Sequence, residues 1–332
     1  MYLTVTIDTE EDNWGEYARP AFSVENVMRV PGLQNVFAAH GVRPTYLITY
    51  PVAKDHRAID TLGEYQRDGL CEIGTHLHPW NTPPVEEELN ASNSFINHLP
   101  PALQFRKLQT LHEAIVTNFG VTPTSFRSGR WAFNDVVASH LIRLKYRVDT
   151  SISPAIDWRE YGGPDYSRMS PEPFVYRVRG AATDDGGTML ELPATVDFVQ
   201  HPSAGASTVY RSIRAMLPFG GKVLAGLDRL NILNRVSISP ELDDASRMIR
   251  LTNTLIRRGS HVINMFFHSP SLLEGCSPYV RNKGEAAAFL RRIDQYLAFA
   301  RSAGAKPATL SELTPELAGA SREKILHATA AH

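Results

Sequence analysis

Two histidines separated by one residue, His76 and His78, offer the pair of imidazoles that a divalent metal ion binds. A catalytic zinc site uses about three protein ligands and leaves a position for water. An acidic run near the start of the chain supplies candidates for the third ligand. That run contains Asp8, Glu10, Glu11, Asp12 and Glu16, all before the first basic residue, Arg19. The sequence therefore predicts a metal site, most readily for Zn²⁺, made of two histidines and one carboxylate.

The same segments contain a base and an acid suited to amide hydrolysis. Hydrolysis of an amide needs a base that deprotonates water and an acid that protonates the leaving amine. Asp8 ends a predicted strand and is the candidate base, and His268 ends an apolar run and is the candidate acid near neutral pH. Arg127 and Arg130 are candidates for neutralising acids or binding substrate. A core histidine bonded to a carbonyl is the alternative interpretation of His268.

Composition and other motifs exclude several classes of function. Lys and Arg number 34 and Asp and Glu 35, so the formal charge is −1 and gives no overall signal for nucleic acid or an anionic membrane. Apolar residues at 43% and charged residues at 21% are typical of a globular protein. The chain has no GxSxG nucleophile motif, no P-loop and no strand-linked GxGxxG.

Strands that alternate with longer helices must position these side chains. Predicted strands are Tyr2–Asp8, Thr45–Thr49, Cys71–His76, Thr124–Arg127, Tyr146–Thr150, Met189–Val196, Val262–His268 and Ala308–Leu310. Predicted helices are Val24–His40, Ala58–Asp68, Leu103–Asn118, Asp135–Lys145, Pro240–Arg258 and Glu285–Ser302. Seven or eight βα units predict an α/β fold with a closed or nearly closed β/α barrel, and a doubly wound open sheet is the alternative. In a barrel, the candidate residues would meet at the carboxyl ends of the strands.

Two stretches interrupt this alternation, and the ends of the chain need their own interpretation. Asn81–Pro101 and Ser153–Gly187 are predicted to be long loops, either functional walls or surface insertions. No apolar run is long enough for a membrane span, and Met1–Asp8 is interpreted as a strand and not a signal peptide. The two cysteines, Cys71 and Cys276, favour a reducing cytoplasm.

Five segments in chain order resemble the motifs of the NodB-type polysaccharide deacetylases, the carbohydrate esterase family 4 superfamily. The segments are Thr6–Glu10, Glu72–His76, Phe126–Arg130, Asp149–Ser151 and Phe267–Ser269. The resemblance covers about residues 1–313 and implies one deformed β/α barrel domain of seven or eight units over 1–313, with a tail over 314–332. The runs 76–80 and 267–273 are most similar to a divergent bacterial subgroup that accompanies surface-polysaccharide biosynthesis genes.

The resemblance implies a role for each matching residue. Asp8 matches the family's base and His76 its first metal histidine. Arg127 matches the arginine that positions the base, and His268 matches the general acid. Asp149 matches the acid that pairs with that histidine, and the backbone N–H of Arg130 falls where the family stabilises the oxyanion.

Two positions depart from the family's pattern. Thr9 stands where the family has a metal-binding aspartate, so we expect Glu10 to replace it, with Glu11 and Asp12 as alternatives. Trp80 stands where the family has its second histidine, which makes His78 the substitute ligand. Relatives similar to allantoinases carry a tryptophan there and are thought to work without a metal. Trp80 and Trp131 are candidates for stacking on a sugar ring, or else for packing at the barrel rim.

These observations predict a metal-dependent hydrolase that removes N-acetyl groups from an amino sugar in a glycan or glycan precursor. The expected partner is the acetylated substrate, with no nucleic acid and no membrane span, and the oligomeric state is left open. One alternative is a hydrolase of a small non-sugar amide or imide. The other is a non-catalytic carbohydrate-binding protein on the same scaffold.

Overall fold

The computed structural model describes residues 1–12, 21–178, 187–200, 202–216 and 219–324. Glu16, among the acids singled out above, lies outside these ranges, as does the end of the predicted tail. No helix in these ranges is long and apolar enough to cross a membrane.

The strands nearest the site are short and buried on both faces, as expected for a parallel sheet covered by helices. The strands in the described ranges are β1 (Tyr2–Thr9), β2 (Thr45–Ile48), β3 (Glu72–Leu77), β4 (Ser125–Ser128), β5 (Val148–Asp149), β6 (Phe174–Arg177), β7 (Thr188–Glu191), β8 (Val196–Phe198), β9 (Arg235–Ser237), β10 (Val262–His268), β11 (Lys306–Pro307) and β12 (Ser321–Lys324). The main sheet has the order β10-β1-β2-β3-β4-β5-β7-β6-β12, and β11 pairs with β1. Within it only β6 and β7 pair antiparallel.

The segments that flank the small antiparallel sheet of β8 and β9 hydrogen-bond to β10 on one side and to β5 on the other. The Thr195 N–H donates to the carbonyl of Asn264 at 3.2 Å, and the Phe266 N–H donates to that of Ile238 at 3.1 Å. On the other side, the Leu192 N–H donates to the carbonyl of Asp149 at 2.9 Å. The curled sheet is therefore completed by irregular hydrogen bonds, and the predicted deformed β/α barrel is confirmed.

Nine helices surround the sheet in the described ranges. They are α1 (Val30–His40), α2 (Tyr50–Lys54), α3 (His56–Arg67), α4 (Pro101–Phe119), α5 (Asp135–Arg143), α6 (Ser203–Arg214), α7 (Gly220–Arg229), α8 (Ala245–Arg258) and α9 (Lys283–Ser302). In α8 the buried residues Met248, Leu251 and Leu255 follow helical spacing and face the core.

The predicted helix Pro240–Arg258 begins later than expected. The helix starts at Ala245, and its N-cap is Asp244, whose side chain accepts from the Arg247 N–H at 2.9 Å. The C-terminal end at Gly259, with φ of 78°, agrees with the prediction. Residues 240–243 are therefore free of the helix, and one of them, Glu241, takes part in the site described below.

Two predicted strands also differ from the structure. The predicted strand Met189–Val196 is divided into β7 and β8, because Pro193 lies between them and cannot donate a ladder hydrogen bond. The predicted strand Ala308–Leu310 is wrong, since Leu310–Glu312 forms a 3₁₀ turn and the strand is β11. The predicted loop Ser153–Gly187 contains β6. The domain division at residue 313 stays a prediction.

Candidate active site and metal centre

The candidate residues meet because parallel strands end at one edge of the sheet. The register pairs Asp8 of β1 with His268 of β10, and His76 of β3 with Arg127 of β4. Asp8 and His268 are 260 residues apart in the sequence. The alternation of parallel strands and helices brings all four side chains to the same edge of the sheet.

The three predicted metal ligands lie together. Potential ligand atoms of Glu10, His76 and His78 all lie within 4.8 Å of one another, and all three residues are buried. Oε2 of Glu10 is 3.6 Å from Nε2 of His76 and 3.3 Å from Nε2 of His78. The two histidines point the same way because residues two apart on extended backbone share a face.

Each histidine is held by its other ring nitrogen. Nδ1 of His76 donates to the carbonyl oxygen of Arg127 at 2.9 Å, and Nδ1 of His78 donates to Oε1 of Glu11 at 2.9 Å. A carbonyl oxygen can only accept, so in His76 the proton sits on Nδ1 and the lone pair on Nε2 faces Glu10. A metal-binding histidine characteristically has such an outward hydrogen bond to a carbonyl or carboxylate.

The electrostatics of the cluster also fit a cation. Burial raises the pKa of Glu10 well above its usual value, and the negative charges of Glu11, Asp8 and Glu241 raise it further. A bound divalent cation would offset this accumulation of carboxylates, and a set of one carboxylate and two imidazoles suits Zn²⁺. The residues present therefore fit the expected metal.

The structure also distinguishes the three acids that the sequence left open. Glu10 is the acid that faces both histidines. Glu11 binds Nδ1 of His78 and accepts from Nε1 of Trp80 at 3.2 Å, so it lies behind the ligand. Asp12 instead accepts from the Glu25 N–H at 2.8 Å and the Asn26 N–H at 2.9 Å.

Asp8 lies beside this cluster in a site that favours its ionised form. Its Oδ1 accepts from Nη1 of Arg127 at 2.6 Å, and its Oδ2 lies 3.5 Å from Nε2 of His268 and 4.0 Å from Nε2 of His76. Burial acts to raise the pKa of Asp8, but Arg127 and the two histidines outweigh it and lower the pKa. The buried guanidinium of Arg127 is fixed in turn by the hydroxyls of Thr6 and Thr150.

The carboxylate partner of His268 is Glu241, which corrects the prediction that Asp149 pairs with this histidine. Nδ1 of His268 donates to Oε2 of Glu241 at 2.8 Å. Oε1 of Glu241 accepts from the His268 N–H at 3.2 Å and from the hydroxyl of Ser271 at 2.5 Å. Burial acts to lower the pKa of His268, but Glu241 and Asp8 raise it above its usual value. His268 thus directs Nε2 towards Asp8 while its Nδ1 is anchored.

Asp149 is engaged elsewhere in the interior. Its side chain accepts from the Ser151 N–H at 2.9 Å and from the Ser151 hydroxyl at 2.7 Å. The same hydroxyl oxygen accepts from the Ser128 N–H of β4 at 2.8 Å. Burial raises the pKa of Asp149 and raises that of its neighbour Glu191 well above the usual value. Asp149 therefore braces the end of β4 from a fully buried position.

The turn after β4 brings Arg130 and Trp131 to the pocket. Both have positive φ, 57° and 59°. The guanidinium of Arg130 donates to Oγ of Ser94 at 2.5 Å and lies 4.0 Å from the ring centre of Phe95. A Cβ at Gly129 would lie 2.4 Å from Cδ2 of His78, so glycine is needed where this turn passes the histidine.

A cavity of about 380 Å³ opens over these groups. Trp131 lies on its wall, where its ring packs edge-on against Phe266. Trp80 also lines the cavity, but it is only 6% exposed and its ring stacks on His78 with centroids 4.1 Å apart. Trp80 therefore supports a predicted ligand, and its contact with sugar stays a prediction.

Sequence reasoning missed several residues at this cavity. Trp158 and Tyr161 come from the predicted loop 153–187, Phe95 from the predicted loop 81–101, and Tyr279 follows β10. The two loops were identified as walls or insertions, and the structure places part of each on the wall. Aromatic residues within them were the available signal. Glu241 was missed because the predicted helix Pro240–Arg258 places it in a first helical turn, where an acidic residue needs no further explanation.

No family model matches this chain, and no curated protein matches its sequence significantly. A protein from Mycobacterium smegmatis classed as a polysaccharide deacetylase has a similar structure, with 14% identity and a TM-score of 0.57 over 98% of this chain and 94% of that one. A Parabacteroides distasonis protein classed as a glycoside hydrolase/deacetylase has 14% identity and a TM-score of 0.61 over 94% and 69%.

The fold has more than one activity among its relatives. A GH57-type branching enzyme from Pyrococcus horikoshii has 11% identity and a TM-score of 0.55 over 98% of this chain and 72% of that one. The resemblance to the deacetylases is therefore confirmed at the level of the fold. Because one fold carries several activities, the activity has to be argued from the residues of the site.

Proposed function

We propose that this chain is a metal-dependent hydrolase that removes N-acetyl groups from an amino sugar. The observation that carries the proposal is the position of Glu10, His76 and His78 directly beside Asp8 and His268. A ligand set, a base and an acid thus share one cavity. The two structural relatives with deacetylase in their names support the same choice of reaction.

Glu10, His76 and His78 would hold the metal, with Glu11 and the carbonyl of Arg127 fixing the two rings. A divalent ion bound there supplies a Lewis acid that polarises the acetamide carbonyl and lowers the pKa of water. The chain's own residues account for the proton transfers that amide hydrolysis requires.

Asp8 takes a proton from the attacking water, which then bonds to the carbonyl carbon. Arg127 keeps Asp8 ionised and oriented for this step. The backbone N–H of Arg130 is proposed to stabilise the negative charge that develops on the carbonyl oxygen. As the carbon–nitrogen bond breaks, His268 gives the proton on Nε2 to the amine, and acetate and the free amino sugar are the products.

The cavity wall suits a sugar ring. The cavity of about 380 Å³ is lined by the aromatic side chains of Trp131, Trp158 and Tyr161. Aromatic rings bind the apolar faces of sugars, and the hydroxyl groups at the edges of the sugar remain free to form hydrogen bonds. We propose these three residues for substrate binding, with Trp80 contributing mainly by supporting His78.

The test is acetate release from N-acetylated amino sugars by the wild type, Asp8→Asn and His268→Ala. We expect each variant to lose on the order of 10² to 10⁴-fold in kcat/KM, the usual size of an acid–base contribution. Asp60→Asn and His56→Ala, at exposed positions of α3, are matched controls that should retain full activity.

Unchanged activity in both site variants would contradict the mechanism. Turnover of ureides or imides but not of acetamido sugars would replace the proposed substrate with a small amide. Glycan binding without any acetate release would show a binding protein instead of an enzyme.

A further inference from the structure

The segment inserted between β8 and β9, which contains α6 and α7, has a concentration of exposed apolar side chains. We call its described residues, 203–216 and 219–232, the hairpin. Its exposed large apolar side chains are Val209 (50% exposed), Met216 (63%), Phe219 (66%), Val223 (45%), Leu230 (69%) and Ile232 (56%). Single exposed apolar residues are ordinary on a protein surface, but a concentration of them indicates an interaction site.

The hairpin is nevertheless well packed on its inner side. Leu224 and Leu233 are buried in a small cluster with Ala155 and Phe198. A Cβ on Gly220 would lie 2.2 Å from the carbonyl oxygen of Ile213, so the glycine allows α7 to begin close against α6. The exposed apolar residues are therefore not an unfinished core, because another face of the helices already fills that role.

One exposed apolar residue of α7 and the residues that cap its two ends form one face with a basic edge. Phe219, Val223 and Leu230 are separated by four and seven residues, which places them on one side of a helix. Lys222 and Arg229 each precede a member of this set by one residue and are seven apart, so they form a parallel row beside it. Both basic side chains lie at exposed positions.

The charge of the hairpin contrasts with the charge of the whole chain. Its basic residues are Arg211, Arg214, Lys222 and Arg229, and its one acid is Asp228. Asp228 is bound by Arg247 of α8 at 3.0 Å. Arg214 is in turn paired with Glu160 at 3.2 Å, so the positive charge of this apolar surface comes from Arg211, Lys222 and Arg229.

We propose that the hairpin docks on the surface of a bilayer containing anionic lipid. An amphipathic helix with large apolar side chains on one face and Lys or Arg along its edge is suited to the membrane interface. The apolar side chains enter the acyl boundary while the basic side chains reach the anionic headgroups. The charge complementarity favours this partner over an uncharged apolar surface.

The position of the hairpin gives this docking a consequence for the site. The hairpin also lines a cavity of about 1490 Å³, through Tyr210, Leu224 and neighbouring residues. Trp158 and Tyr161 line both this cavity and the one over the candidate catalytic residues. Docking would therefore hold the candidate site close to the membrane surface. The docking itself does not depend on the proposed reaction.

Vesicle co-sedimentation tests the proposal with the full chain. We expect binding to vesicles of phosphatidylcholine and phosphatidylglycerol, weaker binding to phosphatidylcholine alone, and release by high salt. The double variants Phe219→Ser/Val223→Ser and Lys222→Glu/Arg229→Glu should each bind anionic vesicles about tenfold more weakly or worse.

Matched controls are available at exposed positions that are distant from the hairpin in the sequence. Leu70→Ser/Val116→Ser removes apolar side chains that are 40% and 39% exposed, and Lys54→Glu/Arg67→Glu reverses two charges. Both controls should bind vesicles as the wild type does. Acetate release from a soluble substrate should be the same in all four double variants, which separates docking from the reaction.

Two results would overturn the proposal. One is that the wild type does not bind anionic vesicles, or that binding is weakened equally in the hairpin variants and in the control variants. The other is self-association of the lipid-free protein that the hairpin variants abolish, measured by light scattering. That second result would assign the hairpin face to a second copy of the chain.

Discussion

The histidines on the two sides of Asp8 have the same side chain but opposite surroundings. His76 is buried and its Nδ1 donates to a neutral carbonyl oxygen, and burial lowers its pKa to about 3 despite the nearby charge of Asp8. His268 donates its Nδ1 to the carboxylate of Glu241, and this partner together with Asp8 raises its pKa in spite of burial. The surroundings of His76 thus favour its neutral form, and those of His268 favour its protonated form.

This difference explains how two roles fit into one small cavity. A metal ligand must offer a lone pair, whereas a general acid must carry a proton at the pH of the reaction. For His76 and His268, both buried, the Nδ1 partners act in the matching directions, since a carboxylate stabilises the imidazolium and a carbonyl oxygen does so much less. The comparison predicts that changes to the partners will affect the two sides differently.

Among changes to the Nδ1 partners, the largest loss of activity is expected from Glu241→Gln, which removes the negative charge that accepts from Nδ1 of His268. The pKa of His268 should fall, so the protonated acid is lost at a lower pH and the alkaline limb of the kcat/KM profile moves down. We expect a loss on the order of 10² to 10⁴-fold at neutral pH, the usual size of a general-acid contribution. Metal content should not change.

Two companion variants sharpen this measurement. Glu241→Asp keeps the negative charge and should restore most of the alkaline limb, whereas Glu64→Gln, an exposed acid on α3, should match the wild type. A loss of rate in Glu241→Gln with an unmoved pH profile would show that Glu241 acts only in packing.

A smaller effect is expected from Glu11→Gln on the metal side. Glu11 holds His78 from behind, so the variant should weaken metal binding by about 10- to 100-fold, the usual cost of losing such a partner. Excess metal should restore activity, and the alkaline limb set by His268 should stay in place. Equal metal affinity in the variant and the wild type, measured by competition with a chelator, would remove Glu11 from this role.

The sequence predicts best where local pattern and chain order agree. Strand ends at Asp8, His76 and His268 lie close to their predicted positions, because each strand is an apolar run followed by polar residues. Parallel topology then brings these ends together without any information from side-chain contacts. Glu10 follows Asp8 by two residues and His78 follows His76 by two residues, so both lie close to these strand ends.

The features that the sequence did not predict depend on contacts between distant segments or contradict the local sequence pattern. Glu241 is 27 residues from His268 in the chain, and only the packed structure shows that the two touch. The helices α6 and α7 were not predicted, since they contain Gly205, Gly220, Gly221 and Gly226, and glycine disfavours a helix. Strand β6 was missed because it lies within a stretch rich in Pro and Gly, where the pattern is that of a loop.

The most direct test compares His76→Ala with His268→Ala, measuring metal content by mass spectrometry and acetate release on the same preparations. Our account predicts that both variants lose activity, that His76→Ala also loses its metal, and that His268→Ala retains it at the wild-type ratio. Equal metal content in the two variants would contradict the division of roles between the two sides of Asp8.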